Sequence, residues 1–257
     1  MIAKMVRDFK SFRTMRNTKI LSVILGSFLL ISATACSSLP NGKQGPEAEA
    51  LADKMIKSSG YEQWNNASAA VFFDFSEREQ IFWDVKRNLI EVTMDDGEVV
   101  VQLNRATWKA IVKVKGKQLS KGKEFDEHVS KANKQFVNDT YWLNPLWHIR
   151  SPGTKRYLVE KNRLRVTFAS GGVTPGDSYV FTFDEKSNRM VKMEMWVSII
   201  PIKGISATFE NYKTFETGVP VAQDHKLSFI NLKLRKIKFW AEYPGTEADR
   251  FAELLKL

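Results

Sequence analysis

The chain has 257 residues, a formal charge of +10 from 39 Lys and Arg against 29 Asp and Glu, and one cysteine. A single cysteine excludes an intrachain disulfide scaffold, so the fold must rest on the apolar residues that make up 43% of the sequence. Residues 1–35 hold six of the bases and one acid; the other 222 residues carry +5, too dispersed for a nucleic-acid surface.

Lys4, Arg7, Lys10, Arg13, Arg16 and Lys19, against Asp8 alone, precede the apolar run Ile20–Ile31. That run has the size of a signal-peptide core and is too short to span a bilayer as a mature helix. A start at Met15 instead of Met1 would give a compact basic segment of ordinary size. Small residues, Ser32-Ala33-Thr34-Ala35, then lead into Cys36 and Ser37. This stretch resembles a bacterial lipobox. Ala33-Thr34-Ala35 also fits ordinary secretory cleavage, but that would leave an unpaired thiol at the N-terminus of an exported chain. The resemblance implies acylation of Cys36 and a membrane anchor worth about 0.8 kcal/mol per buried methylene. Ser37 stands where enterobacterial inner-membrane lipoproteins carry aspartate, which implies the outer membrane, facing the periplasm. The expected division is a signal over residues 1–35, an acylated cysteine and flexible tether over 36–46, and one folded domain over 47–257.

Leu51, Met55 and Ile56 form an apolar stripe that predicts a helix over 47–59, with Gly60 at its C-cap and Tyr61 and Trp64 in a short turn. From Ala69 the period changes to two. Five strands are expected over 70–75, 80–85, 89–94, 99–103 and 108–114, with Asp95-Asp96-Gly97 as the clearest hairpin turn. The pattern then breaks into the charged segment 121–139, with Phe125, Val129, Ala132 and Phe136 at helical spacing, and the aromatic stretch 141–147. Strands resume over 156–160, 164–168, 178–183, 190–197 and 205–209, and a long last strand covers 227–240. Its inward set passes from Ile230, Leu232 and Leu234 to Ile237 and Phe239, which predicts a bulge near Arg235. A helix capped by Thr246, showing Phe251, Leu254 and Leu255 on one side, closes the chain. The fold class is mainly β: a single curved antiparallel sheet of about 11 strands, forming an incomplete barrel with a helical lid.

The helix before the first strand, the helical interruption after five strands, and the ending Phe209-Glu210-Asn211-Tyr212 through Gly218-Val219-Pro220 resemble the lipoprotein-carrier superfamily of LolA and LolB. The resemblance covers most of residues 47–240 and rests on architecture. It implies a half-barrel whose apolar cavity receives acyl chains of lipids or lipoproteins, with a periplasmic carrier protein as a further partner. It also implies an arginine in an early strand that holds the lid shut, for which Arg78 and Arg87 are the candidates.

Seven Trp and seventeen Phe exceed what a tight barrel core needs. Phe73, Phe75, Phe82, Trp83, Trp108, Phe181, Phe183, Met193, Met195 and Trp196 are the candidates for the lining. Phe125, Val129, Phe136, Trp142 and Trp147 are the candidates for the lid. Catalysis is not expected: His128, His148 and His225 stand far apart, and no P-loop, nucleophile-elbow or metal-ligand spacing occurs. No cofactor is expected. The function expected is binding and transfer of an apolar ligand by a membrane-anchored envelope lipoprotein. The alternative is a structural or assembly lipoprotein with a filled barrel that binds a protein partner. A hydrolase of envelope lipids is a third reading, which a converging Ser–His or carboxylate pair would be needed to support.

Overall fold

Apolar–polar alternation builds most of this molecule. The computed structural model describes residues 38–67, 70–75, 79–169, 176–198, 202–227, 230–244 and 249–257, with only the backbone path given for 66–67 and 70–75. Cys36, Arg78 and Thr246 lie outside the described residues.

The first helix, α1 (Pro46–Ser58), begins with proline and two acids and buries Ala48, Leu51, Ala52 and Met55, one face at helical spacing. Gly60, at φ +71°, turns the chain into a second helix, α2 (Tyr61–Ala67), where only a turn was expected. A Cβ on Gly60 would collide with Pro220, so the left-handed turn and the close approach both demand glycine.

An antiparallel meander follows: β1 (Ala70–Phe75), β2 (Glu79–Asp84), β3 (Leu89–Met94), β4 (Val99–Asn104), β5 (Ala110–Val114) and β6 (Lys117–Gln118). The β3–β4 hairpin turns through Asp95 and Asp96 at φ +53° and +57° and Gly97 at +94°. Aspartate and glycine enter this left-handed region at little cost. The helix α3 (Lys123–Leu143) runs one turn beyond the expected end and stops before Pro145, which opens a 3-10 turn, Pro145–His148. The second run is β7 (Thr154–Glu160), β8 (Arg163–Phe168), β9 (Ser178–Asp184), β10 (Arg189–Trp196), β11 (Ile205–Thr208), β12 (Glu210–Thr214), β13 (Pro220–Leu227) and β14 (Ile230–Trp240).

The sheet therefore has 14 strands rather than about 11, in the order β6-β5-β4-β3-β2-β1-β14-β13-β11-β10-β9-β8-β7, with β12 beside β13. The excess comes from the two-residue β6 and from β12 and β13, which the sequence shows only as one irregular ending. Strand β14 joins the two runs, pairing with β13 through residues 230–233 and with β1 through 234–240. The expected bulge is present: between Phe72/Lys238 and Asp74/Arg235, β14 spends one extra residue, with Lys236 at φ +53°. It carries the buried set from Leu232 and Leu234 to Ile237 and Phe239. β6 and β7 stand at the two ends of the order, so the barrel is incomplete.

On the inner face, α1 packs against β7, β8 and β10, and α3 against β3, β4 and β5. The outer face of the β1–β5 half is covered by the C-terminal segment. There Phe251, at the start of α4 (Ala252–Leu255), and Leu254 within it pack on Phe82, Leu89 and Ile111. Leu255, expected on the same side, is exposed. The segment before α1 is also less free than a tether. Lys43 exchanges two backbone hydrogen bonds with Leu158 on β7, at 2.9 and 2.8 Å, and Arg165 Nη1 donates to the Pro40 carbonyl at 2.7 Å.

Candidate functional site: the lidded inner face

The inner wall of the β7–β10 half is built by Leu164, Val166, Phe181, Phe183, Met190, Met193 and Met195, all buried. In the other half Ile81, Trp83, Ile90, Val92, Val101 and Val112 share one face through the strand registers. Helix α3 lies over this second half with Val129, Ala132 and Phe136 turned down and Phe125 half-buried at its start. Its Phe136 ring meets Trp83 edge to face at 4.9 Å.

Three polar links tie the lid to the sheet. Lys131 pairs with Asp95 at 2.9 Å, and both are about half exposed. Arg105, on the β4–β5 turn, donates from Nε to Asn133 Oδ1 at 3.2 Å and lays its guanidinium over the Phe136 ring at 4.6 Å. Gln135 Nε2 bridges Glu79 Oε2 on β2 and Asp139 Oδ2, the latter at 2.8 Å. Asn138 Nδ2 donates to the other Asp139 oxygen at 2.9 Å. Burial pushes the Asp139 carboxyl up to about 7 and also raises Glu79.

The far end of the lid is hooked more firmly. Trp147 stacks on Trp64 with ring centroids 4.3 Å apart, and its Nε1 donates to the Ser59 carbonyl at 3.3 Å. Asn144 Nδ2 donates to the same carbonyl at 3.2 Å, while its Oδ1 accepts from the Leu146 amide. Trp142 is buried beside Phe209 and His225. Burial drives His225 down to about 4, against smaller upward pulls from the Thr208 backbone and Asp224. Burial, with Arg105 nearby, likewise lowers His148, which stacks on Tyr141, to about 4. Both imidazoles are therefore neutral near pH 7.

The structure brings together all five expected lid residues and, in the wall, Trp83, Phe181, Phe183, Met193 and Met195. Three lining assignments are corrected. Phe82 faces outward, because Ile81 and Trp83 take the inner positions of β2, and it packs against Phe251 and Tyr243. Trp108 is in the β4–β5 turn at φ +59°, not in a strand, and is 59% exposed. Trp196 shares a cross-sheet row with Ser178 and Thr167, on the face opposite Met193 and Met195. Phe73 and Phe75 stand on β1, whose side chains are outside the description.

Arg87, one of the two arginines considered for the lid, is on the outer face. It bonds Asp84 at 2.6 Å and Asp249 at 2.5 and 3.1 Å, holding Asp249 down at about 2. The arginine that touches the lid is Arg105. Sequence reading missed it because it lies in a turn, where no period distinguishes it. It also missed Asp139 and Trp64, although Asp139 has a visible signal: a carboxylate three residues after Phe136, on the buried stripe of α3.

An open cleft of about 460 Å³ lies at the C-terminal end of α1, lined by polar groups including Lys54, Lys57 and Arg189. Arg189 Nη1 donates to the Ser58 carbonyl at 3.0 Å there. Among the described residues no group of His, Cys, Asp and Glu could hold a metal ion, and no helix is long and apolar enough to cross a membrane.

No protein-family model and no curated protein matches the chain. Among solved structures, it is similar to a DUF1329 family protein from Desulfovibrio piger, at 9% identity and a TM-score of 0.43, over 80% of this chain and 97% of the other. It is also similar to a putative outer membrane lipoprotein-sorting protein domain from Vibrio parahaemolyticus, at 11% identity and a TM-score of 0.34, over 79% of this chain and 98% of the other.

Proposed function

We propose that this chain is an envelope lipoprotein, anchored through acylated Cys36 at the outer membrane, whose half-barrel takes up an acyl chain beneath α3 without catalysing a reaction. The observation that carries the reading is the unequal attachment of α3. Its C-terminal end is hooked by Trp147 and Asn144 onto Ser59, whereas the first four turns are held by the half-exposed Lys131–Asp95 pair, Arg105–Asn133 and Gln135–Glu79.

An exposed ion pair contributes at most about 1 kcal/mol, so the lid is held mainly by Val129, Ala132 and Phe136. Exposing those side chains costs on the order of 5 kcal/mol. About seven buried methylenes offset that, and a lipid acyl chain offers about twice as many. Full burial of an acyl chain therefore exceeds the cost of opening the lid by roughly 5 kcal/mol, and burial of about half of one balances it. The Met190, Met193 and Met195 side chains suit a wall that must repack.

The second reading is a structural lipoprotein with a filled barrel. It is favoured by the burial of Phe181, Phe183 and the three methionines under α1. Native mass spectrometry of the protein from residue 37, gently purified from the periplasm, separates the two. Stoichiometric phospholipid or acylated species, lost on Val129→Asp with the fold retained by circular dichroism, supports the carrier. A clean apo mass that added lipid does not change overturns it and leaves the filled barrel.

A further inference from the structure

The path of the chain between Cys36 and α1 decides which face of the domain meets the membrane. Pro40 and Lys43 are pinned to the β7 edge by Arg165 and Leu158, and Gly42 lies so close that a Cβ there would sit 2.9 Å from both the Leu158 oxygen and Tyr157 Cβ. Only four residue steps separate Cys36 from Pro40. Fully extended, they reach roughly 14 Å, far less than the diameter of the domain. An acyl anchor on Cys36 would hold the β7 edge close to the bilayer, and not the β5–β6 end of the sheet order.

The outer face beside that edge has its own character. Leu164 and Val166 of β8 are buried on the inner face, so Arg163 and Arg165 point outward. Register places Tyr157 opposite Arg165, Lys155 opposite Thr167, and Lys192 beyond Thr182 in the row of Arg163. Thr167 and Ser178, whose hydroxyls lie 2.9 Å apart, continue the Lys155 row to Trp196. Arg165 stacks on Tyr157 at 3.9 Å. Lys155, Arg163, Arg165 and Lys192 thus share a face with two aromatic side chains; Arg163 joins Glu160 and Glu194 at 2.7 and 2.8 Å, Lys192 joins Glu194 at 3.2 Å, Arg165 is bonded to the Pro40 carbonyl, and Lys155 stands exposed. Exposed Lys43 adds a further cation at the rim. No described helix crosses this face, in contrast to the outer face of the β1–β5 half under the C-terminal segment.

We infer that the outer face of β7–β10 is a membrane-docking surface for anionic phospholipid headgroups, oriented by the pinned segment 40–43. The inference rests on the anchoring of Cys36 proposed above. Cations within a Debye length of an anionic bilayer are each attracted by about 1 kcal/mol, and interfacial Tyr and Trp prefer the headgroup level. The docked pose also leaves α3, packed over β3–β5 in the other half of the sheet, clear of the apposed surface.

The test uses the full acylated protein, whose Cys36 cannot react with a thiol probe. An environment-sensitive fluorophore is placed at Lys155→Cys or, in the far half, at Lys109→Cys. Each protein is reconstituted on phosphatidylethanolamine–phosphatidylglycerol vesicles carrying a headgroup nitroxide. The expected result is strong quenching at position 155 and little at 109. Adding Gly42→Val, which undocks the segment, should bring 155 to the level of 109 while the protein still floats with the vesicles. Flotation with equal quenching at both positions overturns the docking surface and leaves the anchor standing. Loss of flotation overturns the anchor and the orientation with it.

Discussion

Replacing Asp139 by asparagine would show whether the lid is seated on a neutral acid. The Asp139 carboxyl is fully buried, accepts from Asn138 and Gln135, and is pushed by burial from 3.8 up to about 7. With the folded pKa above the unfolded one, the native state keeps a proton that the unfolded chain has already released. The stabilisation is whole below about pH 4, falls as pH rises, and has been lost by about pH 7. A shift of about three units, at 1.36 kcal/mol each, caps that loss at about 4 kcal/mol. Asparagine removes the charge but supplies one acceptor where the carboxyl uses two, forfeiting about 1 kcal/mol. The variant should therefore be about 1 kcal/mol less stable than the parent near pH 4 and about 2–3 kcal/mol more stable near pH 8. Urea unfolding of both proteins at the two pH values measures this, and the difference between them cancels the titrating groups that do not interact with Asp139, leaving Glu79 as its coupled neighbour. A stability difference of the same sign and size at both pH values would refute the reasoning.

Arg105→Ala should cost no more than about 2 kcal/mol of global stability, since it removes two weak, partly exposed hydrogen bonds, to Asn133 and Asn88, and a ring contact. Amide exchange in the first three turns of α3 should nevertheless accelerate, and unchanged exchange there would mean that Arg105 does not hold the lid. Phe251→Ala should lower stability by about 3–5 kcal/mol, because Phe251 is fully buried against Phe82. Lipid occupancy below the melting temperature should not change, because that cluster is on the outer face; loss of lipid from a still-folded variant would count against the division of faces.

Much of the architecture is legible in the sequence because its signals are local. Asp95-Asp96-Gly97 specifies its hairpin through three left-handed residues, and the slip in alternation around Arg235 locates the β14 bulge to within one residue. Elements without a local signal were missed: α2 has seven residues, too few to show a period, and β6 has two. The pinned segment 40–43 could not be seen at all. Its partners, Leu158 and Arg165, are more than a hundred residues away, and its Ser, Gly and Pro content suits a free tether equally well. Arg105 had the same difficulty, since its role depends on α3 returning over its turn.

The face assignments divide for one physical reason. Alternation reveals a strand's inner side only where the other side is wet. In β2 the run Ile81-Phe82-Trp83 is apolar on both sides, because the C-terminal segment covers the outer one, and nothing in the strand itself says which residue is interior. In β10, by contrast, Lys192, Glu194 and Trp196 share one parity and Met193 and Met195 the other. There the charged residues already identify the outer side, and Trp196 belongs with them. Its half-buried indole is on the polar face, away from the inner core. An aromatic at the end of the Lys155–Thr167–Ser178 row, beside the edge that holds segment 40–43, fits the headgroup-level surface proposed for this face.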